Sequence, residues 1–257
     1  MHKKYALISC ATVAFFISFA SIKNFPKKFE EKKETLNDWF YQQRTFPFEE
    51  INYTAYGEAI RQKIVLQSQS KNNSAAWEFA GPVNIGGRVT DVEMPQNDFN
   101  TIYVGAASGG IFKSTDFGEQ WTPIFDNALS LSIGDIAISP SNNNTIYVGT
   151  GEPNGGSGSL TYGGFGIYKS TNAGESWNHL GLDSTRFIGR IALDPTDSQK
   201  IFVAAMGSMF ANSTQRGVFR TTNSGQSWEN VLFISDSTGC IDVAVNPVSP
   251  NIIYAAM

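Results

Sequence analysis

The sequence predicts an all-β fold built from a repeated four-stranded unit, and three observations carry this prediction. Four segments begin with tryptophan, at Trp77, Trp121, Trp177 and Trp228, so that successive repeats are 44, 56 and 51 residues long. The short apolar strands between these tryptophans come in the same order in each repeat. The 24 glycines suit a chain with many tight turns. Four short strands in a unit of about 45 residues are typical of a β-propeller blade.

Each predicted blade runs from an inner strand to an outer one. The inner strands are predicted at 91–94, 135–138, 190–193 and 242–245. The second strands are predicted at 101–105, 145–149, 200–204 and 251–255, and the third strands at 110–113, 166–169 and 217–220. The fourth strand begins at each tryptophan, so the repeats span 77–121, 121–177, 177–228 and 228–257. The sequence therefore predicts three full blades and part of a fourth over 77–257.

A tight turn with the pattern Ser/Thr-x-Asp/Asn-x-Gly-x-x-Trp separates the third and fourth strands, and we call it the repeated turn. The Asp or Asn side chain can accept hydrogen bonds from backbone N–H groups ahead of it, and the glycine permits a positive φ. The tryptophan buries a large ring. Two of the three copies have a neutral Asn where a calcium site would favour a carboxylate, so we predict a structural turn. Its residues are Ser114, Asp116, Gly118 and Trp121; Ser170, Asn172, Gly174 and Trp177; and Thr221, Asn223, Gly225 and Trp228.

The predicted propeller is incomplete. Propellers have about four to eight blades, whereas this sequence contains three full repeats and two strands of another. The strand that begins at Trp77 has no inner strands before it. We therefore expect a fragment of a longer protein, with an exposed strand edge at 251–257.

Residues 1–22 have the pattern of a secretory signal peptide. Basic residues precede an apolar run from Tyr5 to Phe19, and small residues follow at a possible cleavage site. The segment 5–22, with 18 residues, is also close to the minimum length for a membrane span, so an uncleaved anchor at 5–22 is the alternative. A lipoprotein box ending at Cys10 is disfavoured because it comes too early. We expect an exported protein, secreted or on the cell surface, that contacts a membrane only if this segment is uncleaved.

Residues 23–76 are predicted to form a helical lead-in followed by a polar linker. The predicted helices have apolar residues at helical spacing, at Leu36, Trp39 and Phe40 in the first and at Tyr53, Tyr56, Ile60 and Ile64 in the second. We expect the helices to pack on the next domain.

Charge and composition exclude several functions. Residues 1–76 carry 11 basic and 7 acidic side chains, and residues 77–257 carry 8 and 16. An acidic domain is poorly suited to nucleic acid, which requires Lys and Arg to neutralise phosphates. The two histidines and two cysteines form no metal-ligating pattern. We therefore predict no nucleic-acid partner, no metal and no cofactor.

The candidate site is a column of charged residues at the start of the inner strands. Alignment of the repeats places Asp91, Asp135, Arg190 and Asp242 at one position, at the mouth of the central channel and on the face with the longest loops. Arg88 and Glu152 fall at the same mouth. This column of charged residues either binds a ligand or a metal, or forms ion pairs and backbone caps between blades.

The repeated turn resembles the Asp-box, or BNR repeat, of sialidases, sortilins and related bacterial propellers. The stretches 81–89, GPVNIGGRV, and 147–154, YVGTGEPN, are similar to large exported bacterial proteins of the sortilin-like propeller group, as is the lead-in WFYQQR at 39–44. These proteins are often labelled glycosyl hydrolases. The resemblance implies a propeller, whereas a fold by itself does not imply an activity.

We carry two functions forward from the sequence. The first is an exported, non-catalytic propeller that binds a peptide, protein or glycan on its loop-rich face. The second is a glycoside hydrolase using two of the candidate carboxylates. Xyloglucan-cleaving propellers place an Asp shortly before a Gly-Gly at the end of an early second strand, and the matching stretch here, 106–110, is AASGG. A sialidase or a sortilin-type sorting receptor would require further elements that these 257 residues lack.

Overall fold

The computed structural model describes residues 42–43, 45–47, 52–69, 86–154, 162–209 and 212–257. The chain divides into two units, Met1–Phe46 and Pro47–Met257, and the elements below belong to the second. The predicted signal segment, the first predicted helix up to residue 41 and the strand at Trp77 lie outside the described residues.

The one long helix of the described residues, α1 (Tyr53–Gln69), precedes the sheets. Asn52 caps it, because its Oδ1 accepts the N–H of Ala55 at 2.9 Å. Tyr56 stacks on Phe165 with 6.2 Å between ring centroids. The second predicted helix is thus present and contacts a propeller loop, although it continues two residues past the predicted start of the linker at Gln67. No helix within the described residues has the length and apolarity that a membrane span requires.

The remaining elements are short antiparallel strands in four sheets. The first blade contains β1 (Val89–Glu93), β2 (Ile102–Ala106), β3 (Gly110–Ser114) and β4 (Thr122–Pro123). The second contains β5 (Ile133–Ile138), β6 (Ile146–Thr150), β7 (Ile167–Ser170) and β8 (Asn178–His179), and a 3-10 turn follows at Asp183–Thr185. The third contains β9 (Ile188–Leu193), β10 (Ile201–Ala205), β11 (Gly217–Thr221) and β12 (Glu229–Leu232), and the fourth contains β13 (Asp242–Val245) and β14 (Ile253–Ala256).

The sheets are arranged as propeller blades. In each four-stranded sheet the strands are hydrogen-bonded in sequence order, from the inner strand to the outer one. The inner strands β1, β5, β9 and β13 contact one another in that order, so the blades fan outward from a common side. The prediction of an all-β, incomplete propeller with three full blades and two strands of a fourth is confirmed.

One predicted register is wrong. The second strand of the fourth blade was expected at 251–255, yet Tyr254 pairs with Ala244 as Tyr147 pairs with Ala137 in the second blade. The strand is therefore shifted by one residue toward the C-terminus. Two consecutive isoleucines, Ile252 and Ile253, fit the apolar pattern equally well, and only the pairing distinguishes them.

The repeated turn has the same hydrogen bonds in all three copies. In the second blade, Ser170 Oγ donates to Asn172 Oδ1 at 2.8 Å and accepts the N–H of Gly174 at 2.9 Å. Asn172 Oδ1 also accepts the N–H of Ser176 at 3.0 Å. The glycine has φ of 90°, and Ala173 before it has φ of 55°. The turn is structural, as the pattern predicts, and the equivalent bonds at Ser114 and Thr221 have lengths of 2.7 to 3.0 Å.

The tryptophan after each turn joins two blades. Trp177 Nε1 donates to the carbonyl oxygen of Ile124 in the first blade at 2.8 Å, and Trp228 Nε1 donates to Leu180 in the second at 2.9 Å. The repeated turn predicts that this ring is buried but does not indicate the blade on which it packs. The ring packs on the blade before its own, and Trp121, which has no earlier blade in the described residues, is 41% exposed.

Replacement of Trp177 by Phe should lower the free energy of unfolding by about 1–2 kcal/mol, because the half-buried carbonyl of Ile124 loses its donor. The matched Trp121→Phe change should cost at most about 0.5 kcal/mol, since that ring lies on an exposed surface. Urea unfolding of both variants measures the difference. Equal losses would show that the tryptophans do not act between blades.

Candidate functional site

The longest connections lie together on one side of the propeller, which we call the loop face. Its described part consists of the stretches 124–132, 151–154, 162–166, 180–187, 206–209, 212–216 and 233–241. Backbone bonds join consecutive loops at the ends of paired strands: Gly151 donates to Ser132 at 2.7 Å, and Met206 donates to Phe187 at 2.9 Å. The Gly-rich stretch at 155–159 lies outside the described residues.

The four residues of the predicted column occupy one position. Asp91 pairs with Gly105, Asp135 with Gly149, Arg190 with Ala204, and Asp242 with Ala256, so each lies near the start of its inner strand and the end of the second strand. This is the loop-face end of the blades. The alignment of repeats therefore identified a real structural column.

Aspartates of the column cap the inner strand of the next blade. Asp91 Oδ2 accepts the N–H of Ile136 at 2.8 Å, and Asp135 Oδ2 accepts the N–H of Ile191 at 2.7 Å. An inner strand has no neighbour on its free edge, so these N–H groups would otherwise need solvent. Each carboxylate thus links the start of its own strand to the next blade.

Arg190 occupies in the third blade the position that aspartate has in the others, so a hydrogen-bond donor stands there in place of an acceptor. Its Nη1 donates to Asp135 Oδ1 at 3.0 Å, and its Nε donates to Asp242 Oδ1 at 3.2 Å. A guanidinium has no acceptor, so it cannot cap a backbone N–H. It bridges the aspartates of the blades on either side instead. The four column residues form the interblade caps and ion pairs of the second interpretation.

Arg88 and Glu152 form a second link at the same mouth. Arg88 Nη2 donates to Glu152 Oε2, which joins the residue before β1 to the residues after β6. The Glu152 side chain is 1% exposed, whereas that of Arg88 is 43% exposed. Glu152 is also held by its backbone N–H, which donates to Ser132 Oγ at 3.1 Å. We therefore interpret the pair of Arg88 and the buried Glu152 as a contact that joins the first and second blades.

Burial dominates the electrostatics of the column. Loss of solvent raises the pKa of Asp135 to about 8, and the Arg190 guanidinium and the N–H of Ile191 oppose this shift. Asp135 in turn raises the pKa of Arg190. Burial also raises the pKa of Glu93, with a further contribution from the charge of Asp91.

Glu93 and His179 were not identified from the sequence. Glu93 lies at a strand position where the other blades have Ala137, Ala192 and Ala244, so the detectable pattern was one carboxylate in a column of alanines. The Nε2 of His179 lies 2.6 Å from Asp183 Oδ1, and no motif in the sequence indicates that pairing.

Two further residues near the loop face have structural positions. Cys240 is fully buried and is a small core residue. The guanidinium carbon of Arg186 lies 5.7 Å from the centroid of the Phe165 ring. Within the described residues, no three His, Cys, Asp or Glu side chains are grouped as a metal site requires.

The fold and the interblade contacts define an incomplete β-propeller of four-stranded blades. A family model described as Sortilin-Vps10, "Sortilin, neurotensin receptor 3", matches residues 109–254, more than half of the chain. The chain belongs to this family.

Curated and solved relatives add a second likeness. The chain is 25% identical over 195 residues to a xyloglucanase of Hypocrea jecorina and 26% identical to one of Acetivibrio thermocellus, with 66% and 68% of this chain covered. The crystal structure of an ancestral GH74 enzyme superposes with a TM-score of 0.55 at 28% identity, over 68% of this chain and 22% of that one. A GH74 enzyme from Niastella koreensis, 21% identical with a TM-score of 0.51 over 72% of this chain and 31% of that one, shows the same fold. The chain spans less than a quarter of the length of the two xyloglucanases.

The pKa of Asp135 predicts a pH-dependent stability. Because its folded-state pKa lies above that of an unfolded aspartate, the folded protein retains a proton that the unfolded chain releases. The free energy of unfolding should therefore fall as the pH rises from about 4 to about 8, by at most about 1.4 kcal/mol per pH unit for this group. Urea unfolding at pH 5, 6.5 and 8 measures the slope.

Asp135→Asn should flatten that slope, whereas Asp126→Asn, at an exposed carboxylate, should leave it unchanged. A slope that Asp135→Asn does not alter would assign the pH dependence to other groups.

Replacement of Arg88 measures how much its ion pair with Glu152 contributes to the free energy of unfolding. Arg88→Ala leaves a buried Glu152 without its cation, and we expect a loss of about 2 kcal/mol, below the range for a fully buried pair because Arg88 is half-exposed. Arg61→Ala breaks an exposed pair with Glu58 and should cost at most about 0.5 kcal/mol. Chemical denaturation compares the two, and a smaller loss at Arg88 than at Arg61 would contradict the assignment.

Proposed function

We propose that this chain is an exported, non-catalytic propeller module that binds a glycan or protein ligand on its loop face. The observation that carries the proposal is that the candidate carboxylates are engaged within the protein. Asp91 and Asp135 cap backbone N–H groups, and Glu152 and Asp242 bind arginines. Carboxylates with these partners stabilise the mouth and are poorly placed to serve as a glycosidase acid and base.

The loop between β2 and β3 supports the same proposal. In the first blade it is a tight connection in which Ala107 donates its N–H to Arg88 at 3.0 Å, and no carboxylate lies between Ala106 and Gly110. Glycoside hydrolysis requires two carboxyl groups that flank the scissile bond. The blade region that resembles the xyloglucan-cleaving propellers thus lacks the group that the resemblance would use.

A β-linked plant glucan is the first ligand to test, because the two curated relatives are named as xyloglucanases. Aromatic rings at the loop face could stack on sugar rings. Tyr162 lies on the 151–166 loop and is 46% exposed, and Tyr56 next to Phe165 is also exposed. Peptide ligands are the alternative that the family membership favours.

Binding and turnover can be separated in one set of measurements. The protein should retard in affinity gels containing xyloglucan and release no reducing sugar. Tyr162→Ala should weaken binding about tenfold, equivalent to one stacking contact. Tyr254→Ala, at a 60% exposed tyrosine on β14, is the matched control and should not change binding.

Failure of every glycan to bind, together with binding of a peptide library at the loop face, would restrict the proposal to protein ligands. Failure of both would reject the loop face as a binding surface.

A hydrolase is the second candidate, and one observation favours it. Burial raises the pKa of Asp135 to about 8, and a general acid at neutral pH needs a raised pKa. Against it, the side chain is only 3% exposed and both of its oxygens accept hydrogen bonds. Turnover of xyloglucan that Asp135→Asn abolishes, while the variant stays folded, would favour this function over binding.

A further inference from the structure

The interfaces between the full blades are filled by two aromatic side chains from the following blade. Tyr168 and Trp177 fill the interface between the first and second blades. Phe219 and Trp228 fill the interface between the second and third. In both cases one ring comes from the third strand and the other from the residue after the repeated turn.

Each turn also fits against the residue that directly follows the outer strand of the blade before it. A Cβ on Gly174 would lie 2.5 Å from Ile124 Cδ1, and a Cβ on Gly225 would lie 2.5 Å from Leu180 Cδ1. The glycine therefore permits close contact as well as a positive φ. The Ile124 and Leu180 carbonyls accept the indole N–H groups, so the residue that directly follows the outer strand provides both contacts.

A lysine completes the arrangement in the first interface. Lys113 Nζ donates to the carbonyl oxygen of Ala173, the turn residue before Gly174, at 3.0 Å. The hydroxyl of Tyr103 lies 3.3 Å from the same oxygen and donates to it. The outer surface of the first blade thus contacts the turn of the second through three groups: the Ile124 side chain, the Ile124 carbonyl and the Lys113 ammonium.

The third blade presents the same surface, and within the described residues no tryptophan from a following blade packs on it. A groove of about 410 Å³ lies between the outer half of this blade and β14. Its lining includes Val231, at the position of Ile124 and Leu180, and Arg220, at the position of Lys113. The other lining residues that match those around Trp177 are Phe202, Val218, Ile253 and Ala255.

We infer that this groove is a docking site for a β-hairpin that carries the repeated turn and its tryptophan. The hairpin would add to the free edge of β14, as β7 adds to β6, and place one indole ring between Val231 and Ile253. Its indole N–H would donate to the Val231 carbonyl, and the carbonyl before its glycine would accept from Arg220. Val231 and Tyr254, which such a hairpin would cover, are 38% and 60% exposed.

The pairing registers define a test within the full chain. Met257 follows β14 at the position that Ala106 occupies at the end of β2, so a copy of residues 107–124 appended after Met257 continues the fourth blade in register. This extended chain should unfold at least about 5 °C above the wild type, and backbone amides of β14 should exchange more slowly. A tether removes the need for a tight intermolecular affinity.

Three controls assign the effect to the groove. Replacing the tryptophan in the appended copy by Ala should remove most of the gain, and replacing it by Phe should remove part, because the ring remains and the donor is lost. Val231→Asp in the extended chain should also remove the gain, whereas Val248→Asp, at an 89% exposed residue outside the groove lining, should not.

An extended chain that unfolds with the wild type, or a gain that survives loss of the tryptophan, would overturn the inference. Dissociation of a wild-type dimer by Val231→Asp, without a gain on extension, would assign the groove to a second copy of this chain instead. Neither result depends on whether a glycan binds the loop face.

Discussion

A backbone N–H on the free edge of an inner strand, capped by an aspartate from the preceding blade, is the contact on which this propeller depends. Each blade is a small sheet that cannot bury both of its faces alone, so its stability comes from its neighbours. The Asp91 and Asp135 caps fix the inner ends of adjacent blades at 2.7 to 2.8 Å. The tryptophans fix the outer ends through a second pair of contacts, so each of the two interfaces between full blades is held at both ends.

This constraint explains why the most conspicuous charged residues are poor candidates for chemistry. A residue that holds two blades together must keep its geometry, and its lone pairs are already used. The loop face is free of that requirement, since its connections differ in length from blade to blade. The scaffold and the proposed binding surface are therefore separate parts of the same end of the molecule.

Much of the fold could be predicted from the sequence because the same order of strands and the same turn residues occur three times. The turn residues, the order of strands and the column of Asp91, Asp135, Arg190 and Asp242 were all predictable from position alone. The partners were less accessible, since the contacts at Ile136 and Ile191 are to backbone and leave no side-chain pattern. The blade on which Trp177 packs, and the pairing of His179 with Asp183, depend on packing between segments that sequence spacing does not encode.

The central claim is that aspartates, and not the sheet geometry alone, protect the inner edges, and amide hydrogen exchange tests it most directly. The amides of Ile136 and Ile191 are capped by Asp91 and Asp135. Val243 occupies the equivalent position after a blade whose column residue, Arg190, has no acceptor. The account predicts slow exchange at Ile136 and Ile191 and much faster exchange at Val243. Equal protection at all three amides, or fast exchange at Ile191, would contradict it.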